Sequence, residues 1–143
     1  ISSSSSNVFT TIRLNPNGTP DTSFGAHGNG VVPDNPRGTT EHAYARSVVL
    51  DENENIIVIG YMLTPVTFGS PYYNTFAFIR YTPNGLADRK ESNRFSIDNY
   101  ANIGTVPFTG AIQYDKQKIA LAGIYTSNHT QGKPQLLVAR YLN

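Results

Sequence analysis

Phe9-Thr10-Thr11-Ile12-Arg13-Leu14-Asn15-Pro16-Asn17-Gly18 returns further along the chain as Phe76-Ala77-Phe78-Ile79-Arg80-Tyr81-Thr82-Pro83-Asn84-Gly85. A third copy, Leu136-Leu137-Val138-Ala139-Arg140-Tyr141, aligns without gaps on the same central Arg. In the first copy Val8, Thr10, Ile12 and Leu14 alternate with Phe9, Thr11 and Arg13, the period-two pattern of a strand. The Pro-Asn-Gly that closes two of the copies has a mechanical reason. Pro presets φ for a turn, and Gly supplies the positive φ that ends it.

A second pair of segments keeps nearly the same spacing. Leu50-Asp51 to Ile59-Gly60 matches Tyr114-Asp115 to Ala122-Gly123. Within the first of these, Ser47 to Leu50 and Ile56 to Tyr61 are short apolar runs around the polar Asp51 to Asn55, which predicts a hairpin. The period, from Arg13 to Arg80 or from Arg80 to Arg140, has room for about four strands of 5–6 residues plus turns. A repeated antiparallel unit of four strands is a propeller blade. Composition agrees: Val, Ile and Thr number 34 against 8 Leu and 1 Met, and 12 Gly with 9 Pro interrupt long helices. Glu41 to Arg46 is the one plausible helical stretch, and it is too short to stand alone. The expected fold is all-β, with antiparallel four-stranded blades of a β-propeller. About two blades and one strand are present, an incomplete ring. Residues 1–7 are expected to form a flexible Ser-rich arm, and the repeat units to run over 8–81 and 82–143.

Arg13 to Gly25 (with Asp21-Thr22-Ser23-Phe24-Gly25 its most distinctive part), Ala45 to Leu50, Asn55 to Tyr61 and Phe76 to Tyr81 together resemble the delta-60 repeat. That family's unit reads approximately as an Asp-Thr-Ser-Phe-Gly stretch followed by two strand motifs and a closing Ala-Arg-Tyr. The likeness covers nearly the whole chain after the serines. It departs in the second unit, where Leu86 to Arg94 keeps an Asp but loses the Ser-Phe-Gly. The resemblance implies a β-propeller from a large surface or secreted protein, with no established common catalytic activity.

Two blades and a strand do not close a ring that usually takes 4–8 blades, and open blades expose strand edges that invite association. The expected partners are therefore other propeller blades, from the same parent chain or from other subunits. The start at Ile1 favours a piece of a longer propeller over three self-assembling chains. A net charge of +1, from 11 basic and 10 acidic residues, steers the chain to neither nucleic acid nor anionic lipid. No apolar run approaches the roughly 20 residues of a spanning helix, so membrane insertion is not expected. The absence of Cys removes disulfides and thiolate chemistry.

No catalytic constellation stands out, and no cofactor is expected. His27, His42 and His129 have no metal-site spacing, and the acidic groups at Asp51, Glu52, Glu54 and Asp115 fall in turns without the order of a Ca²⁺ loop. Neither a Gly-x-Ser-x-Gly elbow nor a phosphate-binding glycine loop occurs. Arg13, Arg80 and Arg140 recur at one repeat position. Their expected work is a repeated contact between blades, through carbonyls or a carboxylate, with an anion-binding ring as the other reading. The segment Thr64 to Asn74 reads as an uncharged loop carrying Phe68, Tyr72 and Tyr73. These are the candidate contact residues for a protein or carbohydrate ligand, against the alternative that they pack on a neighbouring blade. The function expected from sequence is a non-catalytic binding or structural module of a larger surface or secreted protein. The alternative is part of a propeller enzyme, a hydrolase or lyase, whose site other blades complete.

Overall fold

The computed structural model describes residues 7–36, 41–65, 72–88, 94–96, 103–113, 118–127 and 135–141; the serine run and Phe68 lie outside them. All regular structure among the described residues is strand. In chain order the strands are β1 (Phe9–Ile12), β2 (Val31–Asp34), β3 (Ala43–Leu50), β4 (Ile56–Pro65), β5 (Tyr72–Tyr81), β6 (Arg94–Ser96), β7 (Ile103–Gln113), β8 (Lys118–Ser127) and β9 (Gln135–Tyr141). They form three antiparallel sheets: β1-β2, β3-β4-β5-β6 and β7-β8-β9. The middle sheet is the four-stranded meander that the repeat length predicts, and the described residues form no closed ring.

The repeat seen in the letters is also a repeat of hydrogen-bond register. Gly60 pairs with Ala77 and Arg80 with Ile57; in the third sheet Gly123 pairs with Leu137 and Arg140 with Ala120. Both sheets carry a bulge in the preceding strand, between Ala45 and Ser47 opposite Gly60 and between Pro107 and Thr109 opposite Gly123. The turn after the Arg is copied as well. Gly18 N–H bonds Asn15 O at 2.8 Å and Gly85 N–H bonds Thr82 O at 2.8 Å, while Asp21 and Asp88 each return an amide to the carbonyl of Arg13 or Arg80 at 2.9 Å. By these correspondences β1 is the counterpart of β5 and β9. The chain thus presents the last two strands of one sheet, all four of a second and the first three of a third. The sequence period and the sheets are out of phase, because the period ends where the third strand ends.

The stretch Glu41 to Arg46, too short to stand as a helix, enters strand β3 at Ala43, where β4 supplies the backbone partners. One local expectation is corrected. Of the segment Thr64 to Asn74, read as a loop, the described residues 64–65 and 72–74 are strand. β4 and β5 continue pairing through Leu63 with Asn74, Thr64 with Tyr73 and Pro65 with Tyr72, so Tyr72 and Tyr73 begin a strand. Thr64, Tyr72 and Tyr73 are of the β-branched and aromatic types that suit a pleated ladder.

Strands β4 and β5 of the middle sheet are buried on both sides, which explains the unbroken apolar run Ile56 to Gly60. On one face Ile56, Val58 and Met62 of β4 and Ala77, Ile79 and Tyr81 of β5 form a core with Phe9 and Phe24 of the first sheet. On the other, Ile57, Ile59, Phe76 and Phe78 are buried, and β7 lies against β3, β4 and β5. The seam is locked by shape. Ala45, Gly60 and Ala77 stand side by side across three strands, and the Phe9 ring lies on the hollow they leave; a Cβ built on Gly60 would come within 2.7 Å of Phe9 Cζ.

The end sheets show the same positions uncovered. Phe76 and Phe78 are 0% and 2% exposed, yet their counterparts Leu136 and Val138 on β9 are 75% and 67% exposed. At the opposite end Ile12 and Leu14 are exposed where Ile79 and Tyr81 are fully buried.

Candidate functional site

The densest polar constellation sits where the first sheet meets the middle one. Arg13 follows β1 immediately, and its guanidinium gathers the motif that comes after it. Nε donates to Asp21 Oδ2 at 2.8 Å, one terminal nitrogen donates to Ser23 Oγ at 3.0 Å, and the other donates to the carbonyl of Pro83. The plane stands over the Phe24 ring, 4.8 Å from its centroid. Asp21 in turn caps the loop, its Oδ1 accepting from the Ser23 amide at 2.9 Å and the Ser23 hydroxyl at 2.6 Å. The two Ser23 bonds, then the nearby Arg13 charge, outweigh desolvation and hold the Asp21 carboxyl below the usual range. The arrangement closes a loop onto the next sheet's turn.

That turn is the second copy of Pro-Asn-Gly. Gly25 N–H donates to Asn84 O at 2.8 Å, and the buried Phe24 ring lies against Gly85, where an added Cβ would meet Phe24 Cε2 at 2.6 Å. Gly85 has φ +78°, so glycine serves there twice, for the turn and for the ring's approach. The Asp-Thr-Ser-Phe-Gly motif is therefore one half of a clasp and the next unit's Pro-Asn-Gly the other. The second unit places Lys90, Glu91 and Ser92 at the positions of Ser23, Phe24 and Gly25, outside the described residues, and lacks the aromatic ring such a clasp needs.

Arg80 is held differently. It reaches Asp51 Oδ2 at 2.8 Å, with the Asp51 side chain only 3% exposed. Asp51 also organises the β3–β4 turn, taking the amides of Asn53 and Asn55 at 2.9 Å each and the Asn55 side chain at 2.8 Å. Burial pushes the Asp51 carboxyl up, but the Asn55 and Asn53 hydrogen bonds and the Arg80 charge overcome it and leave it below its ordinary value. A lowered carboxyl adds stability that is complete at neutral pH and is lost as pH falls from about 4 through the lower folded value. Asp51→Asn keeps the shape but removes the charge, and should cost about 2 kcal/mol. Urea melts at pH 7 and pH 3 check this: the gap between wild type and variant should narrow at the lower pH.

Arg13 and Arg80 thus each reach a carboxylate; Arg13 also bridges to the next sheet through the Pro83 carbonyl, whereas the Arg80–Asp51 pair lies within one sheet and is not the contact between blades that the repeat predicts; the Arg140 side chain lies outside the described residues. His27 is exposed in a turn, His42 Nδ1 accepts the Asn7 amide at 3.0 Å, and His129 lies outside the described residues. Of the candidate ligand contacts, the backbones of Tyr72 and Tyr73 stand at the start of β5. That is the end of the sheet opposite the clasp, since the 51–55 and 82–87 turns both lie beyond the pairs Leu50–Ile56 and Ile56–Tyr81. At the same end as the tyrosines, and unmarked by any sequence signal, runs an aromatic row. Tyr44 stacks on Tyr61 at 5.0 Å, His42 flanks Tyr44 at 6.5 Å, and Arg46, the bulged residue, lies 5.2 Å from the Tyr61 ring. Tyr61 is thereby contacted by both a ring and a guanidinium from β3, the latter also donating to its hydroxyl at 3.2 Å. Among the described residues no group of three or more His, Asp or Glu side chains is placed to hold a metal ion.

The β1 strand and the first half of the clasp can be compared with known proteins. Residues 1–24 match the model of a family described as a beta-propeller domain of unknown function (DUF5122). The matched segment ends on Phe24 and so contains Arg13, Asp21 and Ser23, the residues that close the clasp. No curated protein and no solved structure matches the chain.

Proposed function

We propose that this chain is a section of a delta-60-like β-propeller, serving as a non-catalytic structural and binding module of a larger protein at the cell surface or outside the cell. One observation carries the reading. Strands β4 and β5 of the middle sheet are covered on both faces, and the β5 positions so covered recur, apolar and exposed, at Ile12 and Leu14 and at Leu136 and Val138. A stack of blades that continues past each end uses those positions; a finished domain would keep them polar. The family match over residues 1–24 supports the propeller part of this reading. In such a module the polar residues at the seams hold blades together. Contact with a protein or carbohydrate is assigned to Phe68, Tyr72 and Tyr73, on their aromatic character within an uncharged segment.

The test is the mass of the native particle by light scattering, set against the mass of the denatured chain. The isolated chain should associate through its open faces, and Leu136→Asp with Val138→Asp, changes at exposed positions, should reduce the particle towards a monomer. A monomer for the unsubstituted chain would overturn the reading.

A further inference from the structure

The middle sheet serves as an internal reference for what the first sheet lacks. β5 is paired on both edges, with β4 and β6, whereas among the described residues its counterpart β1 is paired only with β2. The direction of the free edge follows from Arg13, whose N–H bonds Gly30 O at 3.1 Å and whose carbonyl accepts from Asp21. Backbone groups alternate sides along a strand, so Thr11 and Phe9 face β2, while Thr10 and Ile12 turn their amides and carbonyls to the open edge. Beside that edge lies an open groove of about 740 Å³, walled by β1 and floored by β3. On the floor Val48 and Leu50, the cross-strand partners of the core residues Val58 and Ile56, are 59% and 62% exposed. In the next seam the corresponding ground is covered: β7 lies against β3 and β4.

We infer that this groove seats a two-stranded antiparallel hairpin of the same repeat type, added to the free edge of β1 and supplied by a polypeptide that carries further copies of the repeat. This rests on the propeller reading and specifies one partner of it. A second copy of this chain is a poor donor, because its β3–β4 and β7–β8 hairpins are already paired to β5 and β9. The register is fixed by analogy within the molecule. Gly60 opposes Ala77 and Ile57 opposes Arg80, so the incoming strand places a glycine opposite Thr10 and an apolar residue opposite Arg13. Main-chain bonds to Thr10 and Ile12 give affinity, and cover over Val48 and Leu50 gives selectivity for this repeat.

The experiment uses a labelled peptide of residues 43–65, the chain's own β3–β4 hairpin, titrated into the full chain carrying Leu136→Asp and Val138→Asp so that the other open face is closed to it. Saturable binding in the micromolar range is expected, with new protection of the Thr10 and Ile12 amides in hydrogen exchange. Thr10→Pro, which removes an edge donor, should weaken binding on the order of tenfold. Because that change acts on the backbone, Val48→Asp with Leu50→Asp provides a second variant at exposed positions, with a similar loss expected while the circular dichroism melt stays in place. Absence of binding, or binding that ignores both variants, or protection appearing away from β1, would overturn the inference. If the unsubstituted chain still associates by light scattering in that event, the propeller reading survives alone; if it is a monomer, both fall.

Discussion

Gly60→Ala should destabilise the protein by about 3 kcal/mol or more, an overpacking cost at the upper end of the usual range. The reason is geometric. A Cβ at this position would stand 2.0 Å from the Tyr44 carbonyl oxygen and 2.7 Å and 2.9 Å from two carbons of the Phe9 ring. The ring is the edge of a side chain and can tilt. The carbonyl belongs to β3 beside the bulge, and moving it breaks the pairing of Ala43, Tyr44 and Ala45 with β4. Phe9→Leu in the same chain should therefore recover only a minor part of the loss. Urea unfolding followed by circular dichroism measures both; a Gly60→Ala midpoint within error of wild type, or full rescue by Phe9→Leu, would show that the backbone contact does not control this seam.

Phe24→Ala should cost about 3–5 kcal/mol, the range for deleting a buried phenyl ring from a core. Phe24 is fully buried between Arg13, Gly85 and the core formed by Val58, Ile79 and Tyr81. Its loss acts on one seam and leaves the middle sheet's own ladder untouched. The two-stranded β1-β2 sheet is too small to hold itself, so it should be released while β3-β4-β5 keeps its protection. Hydrogen exchange reads this directly, through the Gly25 amide bonded to Asn84 and the Arg13 amide bonded to Gly30. Phe24→Leu should restore much of the protection, since most of the apolar cover returns. Uniform loss of protection across all three sheets would mean instead that the seam and the blade unfold as one unit.

These predictions fall on residues that differ in how legible they were. The recurrence of Arg13, Arg80 and Arg140, with Pro-Asn-Gly behind two of them, states in letters what the register states in hydrogen bonds, because each copy holds the same place in its sheet even where, as for Arg13 and Arg80, the side-chain partners differ. The hairpin around Asp51 to Asn55 was equally plain, since a polar turn between two β-branched runs has few other solutions. The role of Phe24 was only half visible. Its motif is distinctive, but its partner lies at Asn84 and Gly85, and no local pattern joins segments so distant in sequence. The aromatic row of Tyr44 and Tyr61 gave no signal at all, as cross-strand neighbours become neighbours only once the register and its bulge are set.

Alternation of side chains, turn residues and repetition are local properties of the chain, and they determined that this protein is built of antiparallel strands in recurring units. Tertiary structure decided where the sheets divide. A sequence period can be cut at any phase, and only hydrogen-bond pairing shows that Phe9–Ile12 joins Val31–Asp34 as the last two strands of one sheet, leaving four strands for the next and three for the last. It also decided which apolar residues are core. Phe76 and Leu136 occupy the same place in the repeat, and burial separates them because, among the described residues, a neighbouring sheet covers the first and none covers the second.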